Sequence, residues 1–447
     1  MRRICPISRA SHRRPKINSL ARHLLLLFAP LLLGILLLAA LLAGTSARAR
    51  HSSQPSWGWL HTKGVWVEDS ANQHVRIAGV TWYGMETYQY VPAGLDIRPL
   101  DAIIKLVKSM GFNTIRIPIS DQLVRYNPIV RYGLNANRSL IGLHALKVLD
   151  RIVADAGSAG LHIILDNENS AARPWHHLSS LPDPLWYNKA YPQKVWVADW
   201  VKLAKRYRNN PTVIGFDLRN EPHTNGPGPW SLKTYLKQGA TWGPYKGRVD
   251  RKTDWRLGAE RGGDAVLHVN PHLLIFVEGV QLYPDSSEKR GVESYWWGGI
   301  LRGVKEYPVK LNVANQLVYS PHEWGPQKLH AMPNFNSHTT DKSLDAMFNR
   351  NWGYILKRHT APIWIGEFGT CDTPRSCQRS SKHGSQGQWW QAIKSYLRHH
   401  PYAGWSFFAL NGTNSADSHS NNSVLDKTWT HPASKLLLKD LRAIQAP

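Results

Sequence analysis

The sequence predicts a (β/α)8 barrel closed at its base by an N-terminal β-hairpin, and three observations carry the prediction. Short apolar, β-branched runs alternate eight times with amphipathic helical stretches over about 370 residues, the pattern of a parallel barrel. Polar and charged residues gather where those runs end, which in such a barrel is the functional rim. No glycine-rich phosphate loop follows the first run, which disfavours the competing arrangement, an open doubly wound sheet.

The chain opens on a leader. Residues 1–23 carry seven basic residues and no acid, residues 24–44 are apolar or small, and Ala47-x-Ala49 fits a signal-peptidase site. Residues 1–49 therefore read as a signal peptide. Because the apolar run is long enough to span a bilayer, an uncleaved N-terminal membrane anchor through residues 24–44 is the alternative. Both predict export, to the extracellular space or the cell surface. A short polar linker covers 50–58, and 59–447 form one catalytic domain, expected to be monomeric.

Within that domain, VWVEDSANQHVRIAG reads as two strands about a DSAN turn. The eight barrel runs follow at 75–82, 113–119, 162–166, 213–218, 273–279, 317–322, 362–369 and 404–410. Helical patterns lie between them, among others at 99–111, 142–160, 193–210, 254–270 and 385–400.

Composition narrows the function. Hydrophobic content of 42% with 34 Gly and 28 Pro fits a packed core and excludes a disordered, collagen-like or multi-span membrane protein. Net charge is +24, but nine basic residues lie in the first 50, leaving 46 against 31 acids in the rest. Those 46 are scattered rather than clustered, so no nucleic-acid partner is expected and a solvated basic surface is. The 20 Trp exceed what a core commonly needs, and a sugar-binding cleft is one place where such aromatic faces go. Cys371 and Cys377, six apart in one loop, read most simply as a local disulfide in an oxidising compartment, with two free thiols as the alternative.

The strand ends supply the chemistry. Trp82 and Glu86 follow the first run, Arg116 lies in the second, and Asp166 and Glu168 end the third. Asn220-Glu221-Pro222 follows the fourth, Glu278 ends the fifth, His322 the sixth, Glu367 the seventh, and Phe408 to Asn411 the eighth. Glu221 and Glu367 end strands on opposite sides of the barrel mouth, the arrangement glycosidic cleavage needs: one neutral acid and one charged nucleophile. Arg116 is the cation that keeps the nucleophile ionised. His176-His177 could suggest a metal, but no HExxH or two-Cys-two-His spacing exists, so neither metal nor cofactor is expected.

RIAGVTWYGMET, GFNTIRIP, GFDLRNEPH, IFVEGVQLY with SYWWGG, LVYSPH and IGEFGT together resemble glycoside hydrolase family 5, especially its bacterial endo-β-1,4-glucanases, from about residue 59 to 445. The resemblance implies a β-linked polysaccharide substrate, Glu221 as acid/base and Glu367 as nucleophile. It implies further that Asn220 bonds the sugar 2-OH, that Arg116 and His322 support the nucleophile, and that Trp82 and Trp297 are stacking platforms. Three positions depart from the family pattern. Glu168 stands where a His is usual, Trp324 where a Tyr hydroxyl serves the nucleophile, and Phe408 where a Trp floors the cleavage subsite, with Trp405 nearby. Trp324 is expected to offer its indole N–H instead. The reading is an exported retaining endoglucanase, with mannan or xyloglucan as alternative substrates and a carbohydrate-binding protein with lost catalysis as the remaining one.

Overall fold

The computed structural model describes residues 57–174, 183–226, 228, 230–326, 335–412 and 422–445. The leader 1–49, linker residues 50–56 and the His176-His177 pair lie outside the described residues. Among the described residues no helix is long and apolar enough to cross a membrane.

The strands are β1 (His61–Lys63), β2 (Trp66–Glu68), β3 (His74–Val75), β4 (Ala78–Thr81), β5 (Thr114–Ser120), β6 (His162–Asn169) and β7 (Val213–Asp217). They continue as β8 (Leu274–Val277), β9 (Leu282–Pro284), β10 (Val292–Ser294), β11 (Leu317–Tyr319), β12 (His322–Trp324), β13 (Trp364–Gly369) and β14 (Gly404–Phe407). Nine pair in parallel in the order β11-β8-β7-β6-β5-β4-β14-β13-β12. The two ends of that list are halves of one run: β11 pairs with β8 and β12 with β13, so the sheet closes into a barrel of eight staves. The sixth run, read as one strand over 317–322, is thus broken at Ser320-Pro321, since a proline cannot donate to the ladder.

The barrel strands are buried almost throughout, as expected of a parallel sheet covered by helices. Helix Leu100–Ser109 turns Leu100, Ile103, Ile104 and Val107 inward at three- and four-residue spacing. Helix Asp121–Tyr126 starts where the Ser120 hydroxyl accepts from the Leu123 amide. At the base the N-terminal element is a three-stranded antiparallel sheet, β1-β2-β3, and not the simple hairpin expected. Its Leu60, Val67 and Val75 form one apolar cluster with Ile164, Ile214, Leu274, Phe276, Val318 and Trp364 of the staves, so it plugs the bottom of the barrel.

Candidate active site

The strand-end carboxylates converge on Arg116, which β5 projects into the barrel with no exposed surface. Its Nη1 donates to Glu367 Oε1 at 2.7 Å and its Nη2 to Asn220 Oδ1 at 2.9 Å. Asp166 stands 3.1 Å from Nη2, Asp217 3.3 Å and Glu278 3.5 Å. Burial works against this charge, but Asp166, Glu367, Asp217 and Glu278 outweigh it and keep the guanidinium protonated.

His322, on β12, links the two glutamates. Its Nδ1 lies 3.0 Å from Glu221 Oε1 and 3.8 Å from Glu367 Oε2, while Nε2 stands 3.0 Å from Glu278 Oε1. Burial disfavours the imidazolium, yet Glu278 and Glu367 prevail and raise its pKa well above the ordinary histidine value. One carboxylate oxygen of Glu221 and one of Glu367 lie within 4.8 Å of each other. Gly366 makes room for the ring, since a Cβ there would sit 3.0 Å from His322 Nε2.

Glu221 adopts φ 50°, in the left-handed region that a non-glycine residue enters only when its surroundings compensate. Compensation comes from Glu278, whose Oε2 accepts the Glu221 amide at 2.7 Å. Glu278, left unassigned from sequence, is therefore central: buried, bonded to the backbone of Glu221, and beside His322 and Arg116. Burial raises its pKa to about 8, with His322 opposing. Asp217 was not singled out at all, yet it accepts from Arg116 and from the Ser320 hydroxyl at 3.1 Å. Its alternation with the outward Phe216 in β7 is the signal that could have revealed it.

Glu168 reaches the cleft half-buried and accepts from Asn220 Nδ2 at 3.2 Å. Burial and then the Glu367 charge raise its pKa, while Arg116 opposes. Nearby Glu86 accepts the Gly84 amide and is pushed to about 8 by burial, with Glu168 adding to the effect.

The aromatic residues divide. Trp297 is half-buried with its ring stacked on His223 at 3.9 Å, and Phe408 is half-buried and stacked on Tyr83 at 5.5 Å, so both border the cleft. Trp82 is a correction: with 0% exposure and its indole bonded to Ala93 O, it offers no face to a sugar. Trp405 is likewise core, bonded to Ile444 O, which leaves Phe408, just past the end of β14, as the partly exposed aromatic of this segment. Trp324 is buried edge-on to Phe408, while Arg116 Nη1 donates to Glu367 Oε1 and His322 Nδ1 stands 3.8 Å from Glu367 Oε2. Just past β13, Cys371 and Cys377 are bonded as a disulfide with Cα atoms 5.5 Å apart.

Among the described residues two sets of side chains, Asp217-Glu278-His322 and Glu221-His322-Glu367, hold their polar atoms close enough to surround a metal ion. Both are already cross-bonded through His322 and Arg116, so the donor set fits a proton-handling network better than a metal shell.

Residues 69–434 match the model of the cellulase family, glycosyl hydrolase family 5. An endoglucanase of Paenibacillus polymyxa is 37% identical over 393 residues, covering 87% of this chain and 88% of that one. The major extracellular endoglucanase of Xanthomonas campestris pv. campestris is 30% identical over 77% of this chain, which spans 63% of that longer protein. Among solved structures, the hyperthermophilic endocellulase of the archaeon Pyrococcus horikoshii superposes with a TM-score of 0.74 at 29% identity, over 88% of this chain and all of that one. Glutamate-to-alanine variants of that enzyme have been solved with cellotetraose. The chain belongs to the cellulase family, glycosyl hydrolase family 5, and is a glycosidase.

Proposed function

We propose that the protein is an exported retaining endo-β-1,4-glucanase in which Glu367 is the nucleophile and Glu221 the acid/base. The observation that carries the reading is the pair of carboxylate oxygens within 4.8 Å, which matches the roughly 5 Å spacing of retaining enzymes and is too close for the inserted water of inverting ones. Glu367 Oε1 is tied to Arg116, leaving Oε2 to attack the anomeric carbon. That bond forms as the glycosidic C–O bond breaks and the Glu221 proton passes to the leaving oxygen. In this reading Glu221 enters the step as the neutral acid and Glu367, ion-paired with Arg116, as the charged nucleophile. Once Glu367 is a neutral glycosyl ester, Glu221 takes a proton from water, and that water displaces the ester oxygen. Asn220, fixed by Arg116 and Glu168, faces the sugar 2-OH, and Trp297 and Phe408 offer apolar faces to the pyranose rings. The leader and the extracellular relative support export.

Glu168 beside Asn220 favours a second reading: the same mechanism on a β-glycan that differs at or near C2, such as mannan. Hydrolysis of carboxymethyl cellulose, xyloglucan and mannan, with product anomers followed by NMR, separates the two. Glu221→Gln and Glu367→Gln are each expected to lower kcat by about 10³-fold or more. Undiminished hydrolysis by either variant would remove the assignment.

A further inference from the structure

We propose that two loops beside the cleft form an outlying platform for a β-glucan chain, with Tyr88 and Tyr132 as its sugar-stacking rings. The inference rests on the hydrolase reading, because it takes as occupant the continuation of the chain that the cleft would cut. Tyr88 lies between β4 and helix Leu100–Ser109, and Tyr132 lies after the short helix Asp121–Tyr126 in the long connection that leads from β5 to helix Ala145–Ser158. The first is a strand-to-helix connection and so stands on the face of the barrel that holds the site, and the second is tied to it where Gln122 Nε2 donates to the Tyr90 hydroxyl at 2.8 Å.

Exposure is concentrated there. Tyr88 is 56% exposed, Tyr126 64% and Tyr132 73%, and Ile129, Ile141 and Leu143 of the same second loop are exposed as well. Singly exposed apolar residues need no explanation, but a grouped set marks a binding surface. The two loops touch: a Cβ at Gly133 would meet Gln89 Oε1 at 2.8 Å, so Tyr88 and Tyr132 flank the contact, each one residue away from it.

The backbone beneath these rings is fixed before anything binds. Val130 and Leu143 pair across the second loop at 2.8 Å, Gly142 donates to Val130 O, and Asn137 Nδ2 bonds Leu95 O at 2.7 Å. In the first loop the Tyr88 amide donates to Arg173 O at 2.9 Å. Such preorganisation lowers the ordering cost of binding.

The occupant follows from continuity. The first loop begins at Tyr83, whose ring stacks on Phe408 at the cleft, and it passes through Glu86 before reaching Tyr88. The loop is anchored along this course, since the Arg173 amide donates to Glu86 O at 3.2 Å and the Tyr88 amide to Arg173 O at 2.9 Å, so Tyr88 stands close beside the cleft. β-Linked glucose is uncharged, with equatorial hydroxyls and apolar C–H faces, and it suits tyrosine rings that present an apolar face and a polar tip.

The test uses the full chain with Tyr88→Ala, Tyr132→Ala and the double variant, read by depletion from solution onto amorphous cellulose at 4 °C and by kcat/KM on cellotetraose. The double variant is expected to lose about tenfold in partition coefficient, with cellotetraose turnover within about twofold of the parent. Tyr132→Trp, which keeps a flat ring, is expected to retain adsorption and guards against a folding defect. Parent-like adsorption of the double variant, failure of the parent to adsorb, or equal losses on cellotetraose would each overturn the platform. So would concentration-dependent self-association abolished by the same changes, which would assign the surface to a second copy. A parent that adsorbs yet cuts nothing sinks the hydrolase reading instead, so the two failures are distinguishable.

Discussion

Gly298 sits at φ +69°, and a Cβ there would collide with Glu278 Oε2 and stand 3.5 Å from Glu221 Cα. Glu278 cannot swing aside cheaply, because it is held by the Glu221 amide, His322 and Arg116. Gly298→Ala is therefore expected to lower kcat/KM by about 10- to 100-fold through displacement of the carboxylate that fixes Glu221. Steady-state kinetics checks this, and a parent-like rate would show that Glu221 does not depend on that contact. At this scale the sequence exposed Glu221, Glu367, Arg116 and His322, because each ends or lies in a legible strand. It left Asp217 and Glu278 without roles, since a buried acid's function lies in partners as distant in the chain as Arg116 and His322. It misread Trp82, because neither motif nor spacing tells which way an aromatic ring turns.

Tryptophans account for much of how the elements hold the site. Among the described residues eleven have under 2% exposure, so much of the tryptophan content is spent in the core. Trp196 and Trp200, one helical turn apart on Gln193–Arg206, both donate to Leu218 O at 3.1 Å, two residues before Asn220. Trp255 donates to Glu278 O at 2.9 Å. Helices on the outside of the barrel thus clamp the ends of β7 and β8, beside the loop that carries Asn220 and Glu221. Trp200→Phe keeps most of the apolar packing and leaves Leu218 O bonded to Trp196, so a loss of about 1 kcal/mol in unfolding free energy is expected. The double change to Phe strips both donors from a buried carbonyl and is expected to cost about 2–4 kcal/mol and to reduce kcat as well. Urea denaturation with parallel kinetics measures both, and equal effects from single and double changes would refute the clamp.

Across the whole molecule, buried acids make stability depend on pH in an unusual direction. Burial raises Asp121 to about 8 and Glu323 to about 7, although Arg219 opposes the first and the Trp352, Tyr295 and Trp389 donors oppose the second. Both folded values exceed the unfolded ones near 4, so the folded state holds protons that the unfolded chain has released. Their contribution is complete below about pH 4 and is lost as pH rises through 7 to 8. Tm is expected to fall from pH 5 to pH 8, and Glu323→Gln, which cannot ionise, to flatten that slope by up to about 3 kcal/mol between the ends. Thermal melts by circular dichroism at stepped pH decide it, and a rising Tm would contradict the burial argument. At this scale the sequence by itself determined the order of strands and helices, the barrel and the two glutamates at its rim, because hydrophobic period and residue type are local properties written along the chain. Only the tertiary structure decided the break in the sixth stave, the third strand at the base, the burial of Trp82 and the roles of Glu278 and Asp217. Those depend on which side chains from distant segments meet in the low-dielectric interior, where a neighbour's charge or a missing cubic ångström outweighs any preference the local sequence expresses.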